Sequence, residues 1–503
     1  MKAEIIVFIA YFAALFIFAT AFLVKGSSKD GEDYFLGGRE MGPWVTAMSA
    51  QASDMSAWLL MGLPGSILAF GFGQMWIGIG LALGTAANWI FCARRLRLLS
   101  KAAGDSITIP QYLTNRFAAE NKSLQIICAL IFLFTFTIYV ASAFVAGASV
   151  FTLLFPAISG RTAMIIFAAL IIGYTFIGGF KAVCWTDFFQ GILMLFALLS
   201  IPIIVSLTQN LDRSLLADVY RYQDLASGEW ITCKFGSGLL DAGWKDILSG
   251  LGWGLGYFGM PHIIVRFMSI EKASMIKRSS FIAIVWVILT LGTSCLMAYQ
   301  ARMIVAADLL PIGSQKTVFI VMARRFFPPI LSGLLLAAIM AASVSTADSQ
   351  LLVASSSFTA DLYQPLLRKK AGDREILWVG RLAVVIIALV AFVIASSKGS
   401  GAQAIMNLVE NAWGVFGSAF GPTILLSLFW RRFSYRGACA GVVTGAAVDL
   451  IWLFFFSGTG IYEIIPGFLL GGLSAIITTL VTEPPAKEVT DIYDRAFTLG
   501  FDE

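Results

Sequence analysis

The chain has 503 residues, of which 58% are hydrophobic and only 13% are charged, and its formal net charge is +5. An ordinary soluble domain carries about 25% charged residues, so this composition excludes a water-soluble globular protein. Apolar runs of about 20 residues, long enough to cross a bilayer core, recur along the whole length with short polar breaks. Because these runs are continuous rather than alternating, they exclude a transmembrane barrel and predict an all-α polytopic membrane protein.

The apolar runs predict thirteen transmembrane helices. The first run lacks a basic leader and a small-residue cleavage site, so we interpret it as a retained span. With the N-terminus outside, most of the 35 Lys and Arg fall on the cytoplasmic side, so the positive-inside rule predicts N-out, C-in. Residues 1–482 then form one transmembrane domain, and residues 483–503 form a short cytoplasmic tail. The predicted spans are 4–24, 42–70, 73–92, 123–155, 161–181, 185–208, 240–266, 276–304, 328–350, 375–397, 403–430, 434–456 and 462–482.

Two of these spans, the second and the seventh, are interrupted by glycine, proline and polar residues. The second contains SDMSAWLLMGLPG at 53–65, and the seventh contains GWGLGYFGMPH at 252–262. Equivalent broken helices five spans apart are typical of inverted-repeat transporters, which bind substrate and coupling ions where unwinding frees backbone groups. The alternative is that both are glycine and proline kinks in an ordinary helical bundle.

Oxygen-bearing side chains within the spans indicate where an ion could bind. Asp54 lies deep in an apolar span, where an ionisable group suggests a functional site, although it could instead cap the broken helix. In the ninth span Ser345 and Thr346 belong to a cluster of hydroxyls that, with carbonyls of an unwound helix, would suit Na+. The alternative for these hydroxyls is helix packing. Asp187 could be a gate residue, an ion-path residue or an interfacial helix cap.

Aromatic residues on three spans indicate a possible solute site. Trp58, Tyr139, Trp253 and Tyr257 offer apolar walls with a polar edge, suited to a small zwitterion with a hydrocarbon ring, although they could be ordinary core aromatics. The single histidine does not indicate a zinc site, and the lack of a Walker A loop gives no support for ATP. The small net charge gives no argument for nucleic acid.

Five sequence motifs follow one another along nearly the whole chain. They are DYFLGGR at 33–39, the run at 53–65, TIPQYL at 108–113 with RF at 116–117, TFIGGF at 175–180 and GWGLGYFG at 252–259. Together they resemble the sodium:solute symporters, most closely the bacterial branch that carries proline. The resemblance implies a ten-helix, five-plus-five inverted-repeat core of the leucine-transporter type in spans two to eleven, about residues 42–430.

The resemblance also implies a function and a set of site residues. It implies a sodium-coupled importer of L-proline in the bacterial cytoplasmic membrane, working by alternating access, and not an enzyme. Asp54 and Asp187 are the implied ion-linked carboxylates. The implied Na+ ligands are Ala52, Met55, Ala342, Ser345 and Thr346, and the implied substrate residues are Ser56, Ala57, Trp58, Gly62, Tyr139, Trp253, Tyr257 and Pro261.

Two positions near the implied pocket depart from the family pattern. Ala57 stands where a glycine is usual among proline carriers, and Met260 stands where a glutamine is usual. These departures keep open a symporter of the same family for another small solute. A proton-coupled carrier and a membrane sensor without net transport are further alternatives.

Overall fold

The protein is a bundle of helices, known here from a computed structural model that describes residues 2–24, 31–223, 228–397 and 402–499. Short 3-10 turns and two π-helical stretches, Asn88–Cys92 and Phe358–Leu367, join or extend several helices. The helices are α1 (Lys2–Val24), α2 (Gly31–Leu36), α3 (Pro43–Asp54), α4 (Gly62–Phe70), α5 (Met75–Ala87), α6 (Ala93–Ala102), α7 (Ile109–Arg116), α8 (Ser123–Leu154), α9 (Gly160–Thr208), α10 (Trp244–Gly252), α11 (Pro261–Ser269), α12 (Ile276–Ile304), α13 (Ala306–Leu309), α14 (Val318–Phe326), α15 (Pro329–Ser357), α16 (Asp373–Ser397), α17 (Ala402–Phe429), α18 (Tyr435–Phe455), α19 (Ile464–Val481) and α20 (Lys487–Leu499).

Within these described ranges, nine helical segments are long and apolar enough to cross a membrane. Three shorter apolar helices accompany them, at Ala3–Phe18, Ala57–Phe70 and Gly160–Phe176. Each of the thirteen predicted spans coincides with helical structure. A multi-pass helical membrane protein is therefore confirmed, whereas thirteen crossings and the N-out, C-in orientation stay predictions.

The ends of several elements differ from the sequence prediction. The fifth and sixth spans are consecutive parts of α9, which kinks at Gly179, where φ is +71°. Such a positive φ is readily adopted only by glycine, so this residue allows the change of direction. The third span continues beyond residue 92 as α6, and the tail after residue 482 forms α20. That helix is tied to the bundle by an ion pair of 2.6 Å between Arg431 and Asp494.

A β-hairpin marks one end of the bundle. Strands β1 (Tyr220–Gln223) and β2 (Trp230–Cys233) pair antiparallel in the segment between the sixth and seventh predicted spans. The opposite end carries Arg39, which donates to the carbonyls of Met268 and Ser106 at 2.7 and 2.8 Å. We call these the hairpin end and the Arg39 end of the bundle.

The second and seventh predicted spans are both broken, as the sequence predicts. Pro43 and Pro261 stand at the first helical positions of α3 and α11, where a missing amide proton costs nothing. Between α3 and α4 the backbone leaves the α-helical path, and between α10 and α11 it forms a 3-10 turn, Trp253–Phe258. This turn packs closely on α5 and α17, because it presents glycines to them.

Gly256 is the position in this turn where a side chain would be hardest to fit. An added Cβ would overlap the indole of Trp413, which is itself fully buried. We expect Gly256→Ala to lower the free energy of unfolding by about 1–3 kcal/mol, because overpacking forces neighbours out of place. The measurement is thermal unfolding of the purified protein in detergent. Gly292→Ala is the control, since no atom lies within 4 Å of the added Cβ there, and an equal loss in both variants would contradict the prediction.

Candidate functional site

The break between α3 and α4 frees two backbone carbonyls. In a continuous α-helix the amide of Ser56 would bond to the carbonyl of Ala52, and that of Leu59 to the carbonyl of Met55. Instead the Ser56 amide donates to the Asp54 carbonyl at 2.9 Å, and the Leu59 amide donates to the Ser56 carbonyl at 3.1 Å. The carbonyls of Ala52 and Met55 therefore lose their helical donors deep inside the protein.

Helix α15 brings hydroxyl groups to these carbonyls. The Oγ of Ser345 lies 2.8 Å from the Ala52 carbonyl oxygen and 3.2 Å from the Ala342 carbonyl oxygen. The next residue, Thr346, is buried, and its Oγ1 has no hydrogen-bond partner among the described residues. The structure thus brings Ala52, Ala342 and Ser345 together directly, and Thr346 follows Ser345 on the same helix.

The chemistry of this donor set fits a hard monovalent cation. Backbone carbonyls and hydroxyls are neutral oxygen donors, which suit Na+ and not the softer transition metals. In the described part of the chain, no group of three or more His, Cys, Asp or Glu residues could hold a metal ion. An unbonded buried hydroxyl such as that of Thr346 is costly unless a ligand occupies it.

Asp54 joins the two broken segments. Its Oδ2 accepts a hydrogen bond from the Tyr257 hydroxyl in the 3-10 turn, and its Oδ1 has no partner among the described atoms. The structure therefore differs from the capping alternative, in which backbone amides would hold the carboxylate. Trp58 follows in the break, and its Nε1 lies 3.4 Å from the Asp54 carbonyl oxygen.

The predicted substrate residues line the two breaks and are all buried. Ser56, Ala57 and Trp58 lie between α3 and α4, and Gly62 begins α4. Tyr139 on α8 is also buried, and its hydroxyl has no hydrogen-bond partner in the described ranges.

Two further substrate candidates, Trp253 and Pro261, belong to the second break. Pro261 begins α11 directly after the turn. The ring contacts of Trp253 are with Trp413 and Tyr462, at centroid distances of 6.3 and 5.2 Å, and both partners lie outside the predicted substrate set.

Asp187 lies in a buried polar network. Its Oδ2 accepts from Ser49 at 2.7 Å and from the Arg266 guanidinium at 3.2 Å. Arg266 also donates to Ser49 at 3.0 Å and to Ser349 at 2.5 Å. The network connects α3, α9, α11 and α15. Asp187 lies inside α9 and not at an end of that helix, which does not fit the helix-cap alternative.

Sequence reasoning missed several residues that support the site. Arg266 and Asp348 are buried ionisable groups within predicted spans, and the rule that singled out Asp54 could have found both. Asn88 donates to the Tyr257 carbonyl at 2.9 Å, and the Trp413 indole donates to the Trp253 carbonyl at 2.8 Å. These last two satisfy carbonyls of the broken turn, and no sequence pattern marks them.

A cavity of about 700 Å³ opens at the hairpin end of the bundle. It reaches Met61, the residue that immediately precedes α4 and Gly62. At the opposite end Arg39 ties the segment before α3 to α11 and also pairs with Asp105 at 2.8 Å. The broken segments are therefore approached by a cavity from the hairpin end and are linked to neighbouring helices at the Arg39 end.

Solved structures with the same fold are transporters. The chain superposes on a substrate-bound, outward-open Na+-coupled sialic acid symporter with a TM-score of 0.74 and 20% identity, covering 96% of this chain and 99% of that one. It also superposes on MhsT in complex with L-phenylalanine with a TM-score of 0.54 and 15% identity, covering 87% and 97%. At these identities the likeness establishes the fold alone.

Closer relatives by sequence are proline transporters. The chain is 42% identical over 471 residues to the high-affinity proline transporter PutP of Bacillus subtilis, covering 92% of this chain and 95% of the relative. It is 41% identical over 480 residues to the sodium/proline symporter of Escherichia coli, covering 94% and 93%. The model of the sodium:solute symporter family matches residues 34–445. These relatives are transporters and not enzymes, and the chain belongs to the sodium:solute symporter family.

Proposed function

We propose that this protein imports L-proline together with Na+ across the bacterial cytoplasmic membrane by alternating access. The observation that supports the coupling is the contact of the freed Ala52 carbonyl with the Ser345 hydroxyl. Ser345 is followed by Thr346, whose buried hydroxyl has no hydrogen-bond partner among the described residues. The solute is inferred from the relatives, which are proline transporters at about 40% identity over nearly the full length.

The orientation we propose is N-out, C-in with thirteen crossings. It is supported by basic clusters at one side of the bundle, which the positive-inside rule assigns to the cytoplasm. The hairpin end is then external, so the cavity that reaches Met61 faces the side from which the solute arrives. The basic clusters are Arg94, Arg95, Arg97 and Lys101, then Arg368, Lys369 and Lys370, and then Arg431, Arg432 and Arg436.

Sodium is proposed to bind first, between α3 and α15. Its ligands are the carbonyls of Ala52, Met55 and Ala342 and the hydroxyls of Ser345 and Thr346. Because these groups belong to a broken helix and to the helix packed against it, the ion holds the break in one arrangement. Inward movement of one positive charge releases about 2.3 kcal/mol for each 100 mV of membrane potential, to which the Na+ gradient adds.

Proline is proposed to bind next, at the same break. The amides of Gly62 and Leu63 open α4 and have no carbonyl within the helix to bond, so they can receive the carboxylate at the positive end of the helix dipole. Trp58, Tyr139, Trp253 and Tyr257 would surround the ring, with Ser56, Ala57 and Pro261 completing the pocket. Asp54 and Asp187 are proposed to act on the ion through the networks that hold α3, by way of Tyr257 and Arg266.

The test is radiolabelled proline uptake into proteoliposomes under three separate gradients. An inward Na+ gradient is expected to drive accumulation, and equal K+ and proton gradients are not. Accumulation with the proton gradient alone would identify a proton-coupled carrier. Uptake of other small carboxylates with Na+, without uptake of proline, would contradict proline as the solute. Ala57 and Met260 would then be the first positions to examine.

Trp253→Ala should weaken proline binding and leave Na+ binding intact. The indole is buried beside the site but supplies none of the proposed Na+ ligands. We expect the proline concentration for half-maximal uptake to rise about tenfold, since losing part of an apolar wall costs about 1.4 kcal/mol. Trp253→Phe should show a smaller rise. Trp244→Ala is the control, because Trp244 lies on α10 with 65% of its surface exposed; equal effects in both would count against a substrate role.

A further inference from the structure

An apolar groove opens on the side of the bundle, where the membrane surrounds the protein. It has a volume of about 480 Å³ and lies between α8, α16 and the π-helical stretch Phe358–Leu367. We call it the lateral groove. Leu367, Leu382 and Ile386 are each more than half exposed, so on helices that cross a membrane they face lipid. The lining includes Leu133, Phe358, Leu367, Leu382, Ile386 and Val390.

The lateral groove offers hydrocarbon contacts to a ligand and little polar recognition. Among the described residues that line it, only Thr137 and Tyr363 are polar. The Thr137 hydroxyl donates to the Leu133 carbonyl at 2.5 Å, and the Tyr363 hydroxyl donates to the Glu375 carboxylate at 2.5 Å. Both donors are therefore used within the protein. Burying a polar group without a hydrogen-bond partner is costly, so the part of a ligand that enters the groove has to be apolar.

The length of the lateral groove matches one leaflet of a bilayer. Along α16 its lining extends from Val379 to Val390, which is about 16 Å at the helical rise of about 1.5 Å per residue. The hydrocarbon core of a bilayer is about 30 Å thick, so one leaflet contributes about 15 Å. A phospholipid acyl chain that extends through one leaflet can therefore lie along the whole groove.

One end of the lateral groove lies at the Arg39 end of the bundle. Asp361, in the π-helical stretch, accepts from the Thr108 hydroxyl at 2.8 Å, and Arg39 donates to the carbonyl of nearby Ser106. The far end of α16 lies at the hairpin end, since Ser396 lines the cavity there. Leu367 is the last residue of the π-helical stretch, so it marks the groove's end nearest the polar surface of the membrane.

Three basic residues follow directly where the lateral groove ends. Arg368, Lys369 and Lys370 come immediately after Leu367, and all three are exposed. Consecutive Cα atoms are about 3.8 Å apart, so the Cα of Lys369 lies within about 8 Å of that of Leu367. The ammonium groups are therefore at the mouth of the groove, at the depth of lipid head groups.

The neighbouring acidic residues do not cancel this positive charge. Residues 368–375 carry four basic and two acidic side chains. Of the two acids, Glu375 accepts from Tyr363 and pairs with Arg368, whose Nε lies 3.1 Å from its Oε1. Lys369 and Lys370 stay exposed in the turn before α16. Basic residues beside an apolar pocket at a membrane surface bind anionic lipid head groups.

We propose that the lateral groove, together with Lys369 and Lys370, binds an anionic phospholipid. One acyl chain lies in the groove, and the head-group phosphate lies beside the two lysines. The bound lipid joins α8, α16 and the π-helical stretch. That stretch continues α15, the helix that carries Ser345 and Thr346, so the lipid supports the far end of the helix that bears the proposed ion ligands. The site does not depend on which solute is carried.

The test is phospholipid binding to the purified full-length protein in detergent, measured by native mass spectrometry. Phosphatidylglycerol is compared with phosphatidylcholine that carries the same acyl chains. We expect phosphatidylglycerol to bind the wild type about tenfold more tightly, and Lys369→Gln/Lys370→Gln to lose most of this difference. Glycerol phosphate has the phosphate but no acyl chain, so it should not compete. Equal affinities of the two lipids for the wild type would overturn the proposal.

The charge control is Lys272→Gln/Lys277→Gln, which removes the same charge at the same end of the bundle. Both lysines are exposed beside the start of α12, and neither belongs to the described lining of the lateral groove. This variant should keep the wild-type preference for phosphatidylglycerol. An equal loss of preference in the two double variants would show a general effect of surface charge and would contradict a site at Lys369 and Lys370.

A second pair of variants tests the apolar part of the site. Ile386 lines the lateral groove and Leu389 does not, although the two side chains are 53% and 54% exposed on the same helix. Ile386→Trp fills part of the groove, so we expect it to weaken phosphatidylglycerol binding about tenfold. Leu389→Trp should change this affinity less than about twofold. Wild-type affinity in Ile386→Trp, or an equal loss in both variants, would show that no acyl chain occupies the groove.

Discussion

Replacing Ser345 and Thr346 together by alanine is expected to raise the Na+ concentration for half-maximal proline uptake about thirtyfold. Each hydroxyl supplies one of the proposed neutral oxygen ligands, and the loss of two such contacts costs about 2 kcal/mol. The proline affinity measured at saturating Na+ should fall much less, because neither side chain belongs to the proposed pocket. The measurement is uptake into proteoliposomes at a series of Na+ concentrations, with the single variants included.

Ser343 provides a matched control on the same helix. It is equally buried, but its hydroxyl donates to the Ile339 carbonyl at 3.0 Å, one turn back along α15. Ser343→Ala should therefore leave the Na+ response close to that of the wild type. If the double variant kept the wild-type Na+ response, or if Ser343→Ala shifted it equally, the proposed ion site would be misplaced.

Replacing Arg266 by methionine should destabilise the protein severely. Arg266 is the partner of Asp187 in the buried network and also holds Ser49 and Ser349, so its removal leaves a carboxylate without its cation. Removing one member of a buried ion pair typically costs about 3–5 kcal/mol. We expect a large fall in the amount of folded protein in the membrane and a lower Tm in detergent.

A double variant distinguishes lost charge balance from lost packing. In Arg266→Met/Asp187→Asn the buried charge is removed together with its partner, so part of the stability should return. Arg302→Met offers a comparison outside this network, since Arg302 is also buried but donates to the Leu68 carbonyl at 3.0 Å. Wild-type stability in Arg266→Met would show that the network does not hold α3, α9 and α11 together.

The sequence located both broken segments because their causes are local. Proline at the start of α3 and α11 and glycines in the turn at 252–259 are enough to end one helix and begin another. The presence of each span could also be predicted from local sequence, because it depends on runs of apolar residues. Span ends were less predictable. The third predicted span continues past residue 92 as α6, because a polar, basic helix can extend beyond the apolar run.

Partners across the bundle could not be predicted from local patterns. Asp187 and Arg266 are 79 residues apart, and nothing in either segment indicates that the two side chains meet. The same holds for Trp413, which supports Trp253 from a different helix. The resemblance to the symporter family supplied Ala52 and Ala342 as ion ligands, since backbone carbonyls carry no signal of their own in a single sequence.

The most direct test of coupling between ion and solute is the Na+ affinity of the purified protein, measured with and without saturating proline. Because both ligands are proposed to use the break between α3 and α4, each should tighten binding of the other by the same factor. We expect proline to raise the Na+ affinity at least about tenfold, and Na+ to raise the proline affinity equally. An Na+ affinity that does not change when proline is added would contradict a shared site at the break.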